Sequence, residues 1–119
     1  MKIGVFDSGL GGLIVAHGLV RSLPEYDYVY LGDTARVPYG NRGQETIYAF
    51  TREAVEQLFA LDCALVIIAC NTASAEALRR IQQEYLPQYF PDRRVLGVLI
   101  PAAEEAVRVS RTKRIGVLA

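Results

Sequence analysis

Ala64-Leu65-Val66-Ile67-Ile68-Ala69 is a continuous apolar run that stops abruptly at Cys70-Asn71-Thr72-Ala73-Ser74. An apolar run of this length without polar alternation describes a β-strand buried on both faces, as inside parallel sheets whose crossover helices cover both sides. Open sheets of that kind bind ligands beyond the carboxyl ends of their strands, so Cys70 falls at a binding edge. Thr72 to Ser74 can cap the helix that follows. Its first N–H groups and positive dipole end favour a thiolate or a carboxylate over their neutral forms. Free cysteine also packs as a small hydrophobe, and Cys63 at the start of the same run fits that inert role. Cys70 differs because Asn71, Thr72 and Ser74 supply hydrogen-bonding groups that a packing position does not need.

The rest of the chain alternates strand-like and helix-like segments. Ile3–Phe6 and Tyr28–Leu31 are short apolar runs, and Leu13–Leu23 between them carries helical spacing up to Pro24. A polar loop with Gly and Pro covers Gly32–Gly43. Gln44–Leu61 then reads as a helix with Ile47, Phe50, Ala54, Leu58 and Leu61 on one stripe. After the strand at 64–69, Thr72–Tyr85 predicts a helix broken at Pro87, Val95–Leu99 a fourth strand, Pro101 the first residue of a helix ending near Val109, and Ile115–Leu118 a fifth strand. This order predicts an α/β fold with a parallel, doubly wound sheet. Residues 1–119 are expected to form a single domain. The chain ends within an apolar run, Gly116-Val117-Leu118-Ala119, where a domain normally closes in a polar segment, so it is read as cut before a second, similar domain.

Bulk composition narrows the function classes. The 119 residues carry 13 basic and 13 acidic side chains, without a run of Lys or Arg, which leaves no electrostatic footprint for nucleic acid or an anionic membrane. No apolar stretch approaches the roughly 18 residues needed to span a bilayer, and the first strand begins too early for a signal peptide, so a cytoplasmic location is expected. Cys63, Cys70 and the single His17 make neither a disulfide framework nor a zinc site.

In a parallel sheet the strand ends converge, bringing together Asp7-Ser8, the Gly32–Gly43 loop, Cys70-Asn71-Thr72 and Pro101. Asp7 precedes Ser8-Gly9-Leu10-Gly11-Gly12, a loop whose glycines allow close backbone approach to a ligand and aim N–H groups at an anion. A carboxylate beside such a loop points to a polar substrate that also carries an ammonium group. Three other readings of Asp7–Gly12 stay open. A dinucleotide fingerprint matches at Gly9 and Gly11, with Asp33 near the ribose-binding position, but has Ile14 where its last glycine belongs. An aspartyl-phosphate phosphatase resembles a strand ending in Asp-x-Asp, where this chain has Gly9. The glycines also suit a tightly packed turn with no site at all.

Three ordered motifs carry a family resemblance. Phe6-Asp7-Ser8-Gly9-Leu10-Gly11-Gly12, Asp33-Thr34-Ala35-Arg36-Val37-Pro38-Tyr39-Gly40 and Cys70-Asn71-Thr72-Ala73-Ser74 resemble the signatures of glutamate racemase. The resemblance extends to Ile100-Pro101-Ala102 and implies the amino-terminal half of a two-domain racemase fold. It implies cofactor-independent interconversion of L- and D-glutamate, in which one thiolate removes the α-proton and a thiol on the opposite face returns one. Cys70 would be one of that pair and Asp7 its helper in proton transfer. Ser8, Pro38, Tyr39, Gly40, Asn71 and Thr72 would bind the substrate. The resemblance further implies a homodimer in the full-length enzyme and D-glutamate destined for peptidoglycan.

The chemistry is consistent with a racemase, which needs two acid/base groups of similar, near-neutral pKa facing one carbon. An ionised Asp7 beside a thiolate is unfavourable, so the two are expected to share a proton and titrate as a unit. The sequence departs from the family at one place, because it has no second cysteine motif. Cys63 lies at the wrong end of its strand and His17 in the middle of a helix. The 119 residues alone are therefore not expected to racemise glutamate. A related aspartate or hydantoin racemase, a non-catalytic amino-acid-binding module and a partner-binding protein remain the alternatives.

Overall fold

The computed structural model describes residues 1–117. Four strands, β1 (Lys2–Asp7), β2 (Asp27–Gly32), β3 (Cys63–Ile68) and β4 (Arg94–Gly97), form one parallel sheet in the order β2-β1-β3-β4. Helices α1 (Leu13–Ser22) and α2 (Gln44–Ala60) make the first two crossovers. The third is a broken helical segment: α3 (Asn71–Glu76), α4 (Leu78–Arg80), a π-helical turn over Ile81–Tyr85, and α5 (Leu86–Tyr89). Helix α6 (Leu99–Val109) follows β4. This is the expected α/β architecture, with the order of strands changing direction at β1, where ligand crevices form.

The core lies on one side of the sheet. Phe6, Val66, Ile68 and Val95 meet Ile47, Ala54, Val55, Leu58 and Phe59 of α2, and Ala73, Ala77, Ile81, Tyr85 and Leu86 of the third crossover. Helix α2 forms because its apolar residues recur every three or four positions, and burial of that stripe stabilises it far more than propensity does. Gly4 of β1 faces the same side at a tight spot, where an added Cβ would sit 3.0 Å from Leu58 Cδ1 and 3.2 Å from Cys63 Sγ. Ile3 and Val5 are equally buried outside this cluster, on the alternate residues of the strand.

The opposite face is covered over β1 but thinly over β3, which corrects the reading of β3. Val66 and Ile68 are fully buried, but Leu65 and Ile67 are only half-buried, and neither α1 nor α6 contributes a buried residue. The apolar run correctly signals a strand able to be covered twice, while the amount of cover depends on elements that a local pattern does not contain.

Several boundaries also move. The helix expected at Thr72 starts at Asn71, and it does not stop before Pro87 but continues to Tyr89. Pro87 is tolerated because it falls in the first turn of α5, immediately after the wider π-helical turn, where its missing N–H is least needed. Pro101 is the third residue of α6, which begins at Leu99, so β4 is shorter than expected and Pro101 is exposed on the helix. Ile115 to Val117 form no strand, since no ladder pairs them with the other four, and Leu118 lies outside the described residues. Apolar character makes a strand only where another edge receives it.

Candidate active site at the carboxyl edge of the sheet

Strand register carries three chain segments to one rim. Asp7 pairs with Gly32 and Phe6 with Ile68. Beyond the ladder, Asp33 N–H donates to the Asp7 carbonyl at 2.9 Å and Ala69 N–H to the Phe6 carbonyl at 2.7 Å. The sites of Asp7, Asp33 and Cys70 are therefore set by backbone geometry.

Asp7 is buried, and both its oxygens are engaged: Oδ1 accepts from Ser8 N–H at 2.8 Å and Oδ2 from Gly12 N–H at 2.7 Å. The anion met by the glycine loop is thus the protein's own carboxylate. Gly12 is required by space rather than by backbone angle, since its φ is an ordinary −66° while an added Cβ would lie 2.7 Å from Asp7 Cβ and 3.0 Å from Ala69 Cβ. Each Asp7 oxygen keeps a second lone pair for a further donor.

Cys70 is the residue that caps α3. Its Sγ accepts from Ala73 N–H at 3.4 Å, so the cap comes from the thiol itself and not from Thr72 or Ser74. Ser74 instead turns its hydroxyl back to the Ile68 carbonyl at 3.2 Å. The same Sγ lies 3.5 Å from the hydroxyl of half-buried Ser8. Cys70 is 5% exposed, buried but with polar partners on both sides. Cys63 is fully buried at the other end of β3, and burial pushes its thiol pKa up, consistent with a packing role.

The 33–43 loop closes over this rim. Tyr39 is 1% exposed, with its ring beside Phe6 and Phe50, and its hydroxyl donates to the Asp33 carboxylate. Burial first, then the hydrogen bond and charge of Asp33, hold the Tyr39 phenol well above its usual range; Arg36 opposes this and Cys70 adds to it. Pro38, which follows a cis Val37–Pro38 peptide, and Gly40 are exposed on the same loop. Asn71 is exposed and Thr72 half-buried at the start of α3. Asp7 and Cys70 are thus each hydrogen-bonded to Ser8, whereas Tyr39 is enclosed, its ring by Phe6 and Phe50 and its hydroxyl by Asp33. His17 is exposed on α1.

Two supporting residues lie outside the expected site: Asp33, weighed in the sequence only for the ribose position of a dinucleotide, and Tyr30. Asp33 binds both Tyr39 and Arg36, the latter at 2.7 Å, and Arg36 in turn reaches Glu53 at 2.8 Å while stacked 3.8 Å above the Phe50 ring. The i,i+3 spacing of Asp33 and Arg36 was the available sign. Tyr30 donates to the Gly9 carbonyl at 2.9 Å, and its own pKa is raised by burial and then by Asp7. Nothing in the local pattern marks it. Two open concavities of about 450 and 520 Å³ lie elsewhere; neither is lined by Asp7, Ser8 or Cys70, and the chemistry sits at the rim. Among the described residues no group of His, Cys, Asp and Glu could hold a metal ion, and no helix is long and apolar enough to cross a membrane.

A parallel α/β sheet that gathers a helix-capping thiol, a serine hydroxyl and a clamped aspartate at its carboxyl rim defines an open α/β domain with its polar groups collected at one edge. The chain is a relative of the glutamate racemases. It is 49% identical over 118 residues to the glutamate racemase of Aquifex aeolicus, covering 99% of this chain and 44% of that one. The solved glutamate racemase of Aquifex pyrophilus superposes with a TM-score of 0.84 at 44% identity, over 93% of this chain and 42% of that chain. The Francisella tularensis glutamate racemase, solved in complex with D-glutamate, gives a TM-score of 0.76 at 34% identity, over 91% of this chain and 39% of the other. No family model matches. The chain spans about two fifths of the length of the relatives it matches.

Proposed function

We propose that this chain carries one side of the active site of a glutamate racemase. The observation that supports this best is the Cys70 thiol at the end of β3, hydrogen-bonded to Ser8 and to the start of α3, on the rim that holds Asp7. Cys70 as thiolate takes the α-proton from one face of glutamate, and a thiol on the other face supplies a proton to the planar carbanion, so configuration inverts without a cofactor. Asp7 assists proton transfer at Cys70. Ser8, Pro38, Tyr39, Gly40, Asn71 and Thr72 hold the amino acid. Cys63 is fully buried at the far end of β3, so the second thiol comes from outside these 119 residues. The domain is one α/β unit of a two-unit racemase that works as a cytoplasmic homodimer and supplies D-glutamate for peptidoglycan.

A racemase of aspartate or of a hydantoin, and a binding module with an idle thiol, share the same rim. Alkylation distinguishes them. Iodoacetamide is expected to label Cys70 before Cys63, and L- or D-glutamate to protect it more strongly than aspartate or a hydantoin. Equal labelling with and without glutamate defeats the assignment. The 119 residues alone are expected to leave the α-proton of glutamate unexchanged in D2O, and deuterium incorporation above background contradicts the two-thiol scheme.

A further inference from the structure

We propose that Ser8 is a positioning residue for the Cys70 thiol, its hydroxyl accepting from the S–H and then turning to donate to the sulfur once the proton has left. The inference rests on the racemase reading of the rim and gives Ser8, placed there among the residues that hold the amino acid, a second role exerted through the sulfur.

Among the described residues the Ser8 hydroxyl has no protein partner other than Cys70 Sγ, 3.5 Å away. The position of Ser8 is not left to chance, because its N–H is anchored on Asp7 Oδ1 at 2.8 Å. The two residues follow different strands, Ser8 after β1 and Cys70 after β3, and meet through the β1–β3 ladder. A sulfur this buried has little water to stabilise a negative charge, so donors from the protein must do so. Ala73 N–H supplies one. Asp7 makes no hydrogen bond to the sulfur among the described residues, its two oxygens accepting from the N–H groups of Ser8 and Gly12. A hydroxyl is both acceptor and donor and rotates without moving heavy atoms, so Ser8 serves the thiol and the thiolate alike. The titratable and charged groups at this rim are Asp7 from β1, Tyr30 from β2, and Asp33, Arg36 and Tyr39 from the 33–43 loop, while the start of α3 brings only the uncharged Asn71 and Thr72.

The test uses the 119-residue chain and needs no substrate. Rates of iodoacetamide alkylation at Cys70, localised by mass spectrometry, are measured from pH 6 to 10 for the native chain, Ser8→Ala and Ser8→Thr, with thermal unfolding of each. Loss of one charge-assisted hydrogen bond is expected to slow alkylation of Ser8→Ala about five- to tenfold at pH 7 and to displace its rise to higher pH, with melting nearly unchanged and Ser8→Thr restoring most of the rate. A Ser8→Ala profile equal to or faster than the native one, or equally slow Ala and Thr variants, overturns the proposal. Failure of glutamate to protect Cys70 while the Ser8 effect persists defeats the glutamate assignment alone.

Discussion

Tyr39 shows how much of a site's behaviour depends on one buried contact. Among the described residues its hydroxyl is satisfied only by Asp33, and burial with that partner favours the protonated phenol. A group whose pKa is raised on folding binds its proton more tightly in the native state. Its contribution is therefore complete below the unfolded tyrosine value of about 10 and declines as pH rises beyond it. Melting temperature is expected to fall between pH 9 and 11 in the native chain and to fall less steeply in Tyr39→Phe. Parallel curves for the two would show that this phenol does not titrate on unfolding. The motif containing Tyr39 was legible in the sequence, but its burial was not, because nothing within the loop reveals that Phe6 and Phe50 will enclose the ring.

Secondary elements were legible where a pattern persists over several turns. Helix α2, with its long apolar stripe, lies almost where periodicity predicts it, and β1 and β2 each extend one residue beyond expectation at either end. The third crossover was not, because a π-helical turn is a local widening that lets Pro87 remain within the helical path. Glycines separate the two kinds of information. Gly12 starts α1 at a contact with Asp7 and Ala69 that leaves no room for a methyl group, whereas Gly18 within the same helix has nothing within 4 Å. Urea unfolding should find Gly12→Ala destabilised by about 1–3 kcal/mol through overpacking. Gly18→Ala should instead gain about 0.5–1 kcal/mol from helix propensity. Equal effects of the two substitutions would contradict the packing assigned to the glycine loop.

At the scale of the whole molecule, one face of the sheet carries the core and the other is thinly covered over β3, with Leu13, Ile14, Ile100 and Val109 exposed on α1 and α6. The rim nevertheless depends on the well-packed side, since Phe6, Tyr39, Cys70 and Ala73 belong to the same cluster. A ligand that binds the folded rim must stabilise that side. Glutamate at ten times its dissociation constant is expected to add about 1.4 kcal/mol and raise Tm on the order of 5 °C, more than aspartate at equal concentration. No shift at saturating glutamate would remove it as the ligand. By itself the sequence determined the alternation of strands and helices, and the placement of Cys70 just past a buried strand, because burial periodicity and polarity are written locally. Tertiary structure alone decided that Ser8, sixty-two positions away, is the partner of the sulfur and that both Asp7 oxygens turn to their own loop. Such contacts depend on strand register and on the few ångströms a side chain spans, which are fixed only when distant segments pack together.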